Sequence, residues 1–184
     1  MPLLSVHDLV FPSAVSGEAN ALGIVYASVE QSARDQFVQH AKLVFLSSID
    51  QTEIQRCASK KIPVMVQPHS LPNAFSLLKL HGVKIVLVHV KGSTPILDFG
   101  WMQKAFEEKK SVVFSLPALQ EAFVQKDTLA LQEYRKLAQL LHKSHVPLGL
   151  VSLARHENER LSEEDVHAWA GYLGIPALRV EWFL

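Results

Sequence analysis

Short apolar runs alternate with amphipathic stretches along this chain. The runs are Gly23 to Ser28, Lys42 to Ser47, Ile62 to Gln67, Val83 to His89, Ser111 to Leu116 and Val146 to Leu153. With Leu3 to Phe11, which His7 and Asp8 interrupt, they read as seven strands, and the β-prone Ala177 to Trp182 would make an eighth. Runs such as Lys84-Ile85-Val86-Leu87-Val88-His89 are apolar at nearly every position, as in a parallel sheet covered on both faces. The stretches between them predict helices over Glu30 to His40, Asp50 to Lys60, Leu71 to His81, Asp98 to Lys109 and Thr128 to Ser144. A short helix or turn is expected at Ser13 to Leu22. A last helix opens at Ser162 and stops at Gly174, just before Pro176. Expected inward stripes are Ile54, Cys57 and Ala58; Leu71, Phe75 and Leu78; and Ala130, Tyr134, Leu137, Ala138 and Leu141.

Strand starts near residues 23, 42, 62 and 83 recur at the spacing of short βα units joined by tight loops. The predicted fold is therefore α/β, a compact (β/α) TIM-like barrel with seven or eight mostly parallel strands, forming one domain over residues 1–184. An open doubly wound sheet is the competing architecture; strand count favours the barrel. Ligands of either fold gather at the carboxyl ends of the strands. That draws the eye to Val146 to Arg155, an apolar run ending in a small polar mouth from Ser152 onward.

Composition narrows the class. The 184 residues are 48% hydrophobic, enough for a real core. A single cysteine, Cys57, excludes an internal disulfide and a zinc-binding cysteine pair, and reads as helix core. Met1-Pro2-Leu3-Leu4-Ser5 lacks the basic and apolar regions of a secretory signal, and no apolar run could span a bilayer, so a cytoplasmic protein without a membrane role is expected. Eighteen basic and eighteen acidic residues cancel, which speaks against a chain that coats nucleic acid by itself. The distribution is uneven, however. Residues 51–149 carry thirteen Lys/Arg against seven Asp/Glu, and 150–184 carry three against six, which permits a localised basic face.

Most chemistry-bearing motifs are absent. Eight scattered glycines form no phosphate-cradling loop, and neither a GxSxG elbow nor an HExxH pair is present. His69 and His89 close successive strands, whose ends in a parallel sheet would lie roughly 5 Å apart. With His7 and Asp8 they could form a nitrogen/oxygen metal site; the plainer reading has them bonding backbone groups or facing water. Arg135, Lys136 and Lys143 flank the apolar stripe of the Thr128 helix, as a solvated face or a contact to RNA or a partner. Ser162-Glu163-Glu164-Asp165 fits a helix cap whose acids complement the helix dipole. Arg155 and Arg160 sit in the preceding loop, suited to an anion or to pairing with Glu157 or Glu159.

The order of the pieces is more telling than any one of them. Val112-Val113-Phe114-Ser115-Leu116 leads to a long helix ending Tyr134-Arg135-Lys136-Leu137-Ala138-Gln139-Leu140-Leu141-His142-Lys143. There follow the entry Val146-Pro147, the strand Val151-Ser152-Leu153-Ala154-Arg155, an Asp165-led helix and Leu173-Gly174-Ile175. This series resembles protein component three of archaeal ribonuclease P, the counterpart of the thirty-kilodalton subunit of the eukaryotic enzyme, most closely over residues 83–176. The resemblance implies a barrel related to the PHP phosphoesterases, working as a protein cofactor. It would assist a catalytic RNA that removes the 5′ leader from precursor tRNA, beside a second small protein subunit. PHP-type barrels open with Asp-Leu-His-x-His; here Asp8-Leu9 is kept, but Val10 and Pro12 stand where the metal-binding histidines would be. The family's Arg, Ser or Tyr, then Pro-Arg-Asp becomes Leu161-Ser162-Glu163-Glu164-Asp165, with Arg160 one place earlier, and an arginine after the sixth strand is missing from Leu116-Pro117-Ala118-Leu119.

The expectation is thus a ribonuclease P subunit with no catalytic residue and no bound cofactor of its own, magnesium being used by the RNA. Lys91, Lys136, Ser152, Arg155 and Arg160 are the expected RNA or partner contacts. The alternative is a metal-dependent phosphoesterase using Asp8, His69 and His89.

Overall fold

The computed structural model describes residues 7–10, 24–28, 38–90, 96–153 and 163–175; before residue 43 it describes backbone alone. Seven strands form one sheet in the order β1 (His7–Val10), β2 (Ile24–Ser28), β3 (Val38–Leu46), β4 (Val64–Val66), β5 (Val83–Val88), β6 (Ser111–Ser115) and β7 (Leu148–Val151). The helices are α1 (Gln51–Ser59), α2 (Leu71–Leu78), α3 (Phe99–Glu107), α4 (Leu116–Val124), α5 (Thr128–Lys143) and α6 (Glu163–Leu173). Strands β3 to β7 are parallel, each hydrogen-bonded to its neighbour in sequence, and β1, β2 and β3 pair antiparallel. The result is an α/β fold with five parallel strands, consistent with a TIM-like barrel. The order never reverses, whereas a doubly wound sheet has a switch point. Cα atoms of β1 also come within 8 Å of those of β7.

The alternation of side chains along a strand explains the two apolar clusters. Val64, Val66, Val86, Val88, Val112, Phe114, Leu148 and Leu150 face the helices and pack against Trp101, Tyr134, Leu137 and Leu141. Leu43, Met65, Ile85, Leu87, Val113 and Val151 point the other way and form a second cluster, all at most 2% exposed. That second cluster is the physical reason the strands read as unbroken apolar runs. Both faces of the sheet are covered.

Five of the six described helices start where a short polar side chain follows a strand or loop. Asp50, Ser70, Asp98, Ser115 and Asp127 accept from the backbone N–H of Glu53, Asn73, Trp101, Ala118 and Ala130, at 3.0, 3.4, 2.7, 3.4 and 3.0 Å. Such caps contribute about 1 kcal/mol each. The opposite ends repeat one motif. At the ends of α1, α3 and α5 the residue past the cap turns left-handed and the next N–H reaches back five residues. The bonds run from Ile62 to the Cys57 carbonyl, from Lys110 to Ala105 and from Val146 to Leu141, at 2.9, 2.8 and 3.1 Å. Glycine suits the left-handed position, and Gly174 (φ +71°) fills it after α6. Lys61, Lys109 and His145 fill it after α1, α3 and α5, with φ of +56°, +51° and +56°. We expect Lys61→Gly with Lys109→Gly to stabilise the fold by about 0.5–1 kcal/mol in about 0.5 M salt, where the helix-dipole contribution of the two charges is screened. An unchanged or lower urea midpoint would count against it.

Several expectations change. Val38 to His40, predicted as the end of a helix, begins β3, where Val38 pairs with Ala27. Residues Leu116 to Val124, for which no helix is predicted from the sequence, form α4, with Ser115 as cap and Pro117 in the first turn. On α2 the buried positions are Ala74, Leu77 and Leu78, while Leu71 and Phe75 are half-buried; on α1, Ala58 is exposed. The predicted elements at Ser13 to Leu22 and Ala177 to Trp182 lie outside the described residues.

Candidate functional site

The carboxyl ends of the parallel strands build the expected mouth. Each leaves its strand and passes at once into a helix cap or a loop. Ser47 follows β3, Gln67 to Ser70 follow β4, His89 and Val90 follow β5, Ser115 ends β6, and Ser152 and Leu153 follow β7. Ser70 and Ser115 are committed to capping α2 and α4. A ring nitrogen of His69, Nε2, lies 2.9 Å from the Ser47 carbonyl oxygen and ties the end of β4 to that of β3. His89 is half-buried.

Tyr134 of α5 reaches the mouth from outside the sheet. Its hydroxyl accepts from the backbone N–H of Val90 at 3.0 Å, and its ring meets Phe114 edge-on at 5.1 Å. Burial pushes the phenol up to about 12, so it stays a neutral hydrogen-bonding group. Tyr134 therefore fixes where the chain leaves β5. Its inward position was readable from the α5 stripe; its bond to Val90 was not, because the partners are 44 residues apart.

The expected contact residues fall in different places. Lys91, Arg155 and Arg160 lie outside the described residues. Ser152 is at the mouth but only 2% exposed. Lys136 sits in the outer helical layer on α5, its side chain 63% exposed and its Nζ 3.3 Å from Glu133. For the alternative metal set, β4 and β5 are adjacent and parallel, as the pairing of His69 with His89 requires. Asp8 lies on β1, opposite Ala27, and its side chain is outside the description. Among the described residues no three His, Cys, Asp or Glu side chains gather as a metal-binding group. No helix of the described residues is long and apolar enough to cross a membrane. Within them the mouth offers hydrogen-bonding groups that anchor strand ends.

Solved structures share this arrangement. Archaeal ribonuclease P with mature tRNA, determined by cryo-electron microscopy, contains a chain that superposes with a TM-score of 0.61 at 15% identity, over 78% of this chain and 64% of that one. A prolidase complexed with N-methylphosphonate-L-proline matches with a TM-score of 0.52 at 15% identity, over 72% of this chain and 39% of its own. A second crystal structure of that same protein, described there as uncharacterised, matches at 0.53 and 14%, with the same coverage. This chain thus spans 39% of the prolidase and 64%, less than two thirds, of the ribonuclease P chain. At such identities the likeness is one of fold. No family model matches the chain. No curated protein matches it in sequence either.

Proposed function

We propose that this chain is a protein subunit of a ribonuclease P, assisting a catalytic RNA in removing the 5′ leader from precursor tRNA. The observation that carries the reading is the fold likeness to a chain of archaeal ribonuclease P, the fuller of the three superpositions. The ordered series of motifs from Val112 to Ile175 supports it independently. In this reading the sheet closes as a small barrel, which the approach of β1 to β7 favours. Catalytic groups and magnesium belong to the RNA, and the partners are that RNA, a second small protein subunit and the precursor tRNA. Lys91, Lys136, Arg155 and Arg160 would meet phosphate or the partner. Ser152, 2% exposed, would act by fixing the end of β7 rather than by contact.

Reconstitution tests the reading. Assembling the RNA and the other subunits with and without this chain, and measuring leader removal across a magnesium titration, should show a slower rate or a higher magnesium requirement when it is omitted. Superimposable titrations would overturn the assignment.

A further inference from the structure

Among the described residues, exposed basic side chains gather at the opposite end of the sheet. Because β4 to β7 are parallel, the turns that enter them lie side by side, spaced by roughly 5 Å per strand. Those turns hold Lys60 and Lys61, then Lys79 and His81, then Lys109 and Lys110, then Lys143 and His145. The entries to β6 and β7 are joined directly by a 2.9 Å bond from the Val112 N–H to the Pro147 carbonyl. Lys60, Lys61, Lys79, Lys109 and Lys143 are exposed and form no ion pair among the described residues. Among the described residues of these turns only Glu107 and Glu108 oppose them, in a chain whose net charge is zero.

Helix ends explain part of this. One cation near each C-terminus complements the helix dipole. The rim exceeds that need after α1, where Lys60 and Lys61 are both exposed. It also keeps Lys61 and Lys109 at left-handed positions where glycine is easier to accommodate, although the fold uses glycine at the same place after α6. An aromatic surface lies among the charges. Phe106 is 52% exposed, and its ring lies 6.4 Å from that of His145, tilted by 56°. Phe106 also lines a shallow groove of about 420 Å³ between α3 and the end of α5, together with Phe99, Gln103, Glu107, Lys143 and Ser144. Cationic side chains that track a backbone, with exposed rings on which bases stack, are what single-stranded nucleic acid requires.

We infer that this amino-terminal rim binds single-stranded RNA, with Lys61, Lys109 and Lys143 meeting phosphates and Phe106 with His145 stacking a base. Glu107 and Glu108 fit this ligand better than an anionic membrane. A phosphate chain can pass beside two carboxylates, but a continuous negative surface is repelled by them. The inference rests on the ribonuclease P reading only for taking RNA as the polyanion, and it places contact on the face away from the strand mouth.

The test uses the full chain and a labelled, unstructured RNA of about twelve nucleotides, with fluorescence anisotropy followed across a salt series. Lys61→Gly with Lys109→Gly should bind about tenfold more weakly and lose about 1.4 from the log–log salt slope, at about 0.7 per phosphate contact. Its unaltered or raised stability would exclude unfolding as the cause. Lys61→Gln with Lys109→Gln repeats the charge loss without changing the backbone. Phe106→Ala should weaken binding by about tenfold with the slope preserved, because stacking releases no counterions. Parental affinity and slope in the lysine variants, no binding by the parent in about 50 mM salt, or a stronger preference for phosphatidylserine vesicles than for the RNA would each overturn the inference. Failure of the reconstitution assay with these results intact would remove the ribonuclease P reading and leave the rim standing.

Discussion

Trp101→Ala is expected to lower the unfolding free energy by about 3–5 kcal/mol, the range for emptying a fully buried large aromatic site. Trp101 is 0% exposed, lies in the first turn of α3 and packs in the main apolar cluster. Its indole N–H donates to the Ala74 carbonyl of α2 at 2.8 Å, so one side chain joins two neighbouring βα units. Truncation leaves a cavity and removes that bond. Trp101→Phe keeps most of the volume and should cost about 1–2 kcal/mol, chiefly the hydrogen bond. Urea unfolding checks both. Domains of this kind have roughly 5–15 kcal/mol in total, so the alanine variant should approach the limit of folding. A loss below about 1 kcal/mol for alanine would mean that α2 and α3 are not held together through this residue.

The second large effect is a pH dependence centred on Lys110. In the turns after α1, α5 and α6 the residue next to the left-handed one is apolar: Ile62, Val146 and Ile175. After α3 it is Lys110, only 1% exposed, whose Nζ donates to the carbonyls of Leu80 and Val83 at 3.0 and 2.7 Å. Burial, with a smaller contribution from Lys84, pushes its ammonium down from 10.5 to about 8. The folded state thus disfavours the proton. Below about pH 8 both states hold it and the penalty is present in full. Between about 8 and 10.5 the unfolded chain binds more protons, so stability rises with pH. From pH 7.5 to about 9.5 the gain should be roughly 1–2 kcal/mol, water at the rim screening part of the shift. Tyr134 acts the other way above pH 10, because its buried phenol deprotonates later than an unfolded one. The comparison therefore stops short of that range. In Lys110→Met the rise should vanish. A rise that persists in this variant would assign it to another group.

The sheet was legible because strands covered on both faces write themselves as continuous apolar runs; Val83 to Val88 and Ser111 to Ser115 needed little more. Helix starts were legible where an aspartate led the segment, as at Asp50 and Asp98. The α4 helix was missed because Leu116-Pro117 looks like a break, although a serine followed by proline in the first turn is a start signal. Val38 to His40 was missed because a few mixed residues fit either period, and pairing with β2 decides between them.

For the site, the sequence pointed to the strand mouth and the structure adds the far rim. Lysines at 61, 79, 109 and 143 look unrelated along the chain; only the repetition of parallel units sets them side by side. Phe106 and His145 are a pair no spacing rule would propose. The excess of basic residues over 51–149 was the available signal, and it lacked a location.

The unreversed order of β3 to β7 also bears on how the protein is made. Every parallel strand pairs with the one synthesised just before it, so each new strand finds its template already exposed on the preceding unit. Contacts between successive units close short loops, which keeps their entropic cost low and favours fast, stepwise docking as the chain emerges from the ribosome. Until the next strand arrives, the newest one presents an open hydrogen-bonding edge. Growth of the sheet during translation is then a succession of edges, each sealed by the following βα unit.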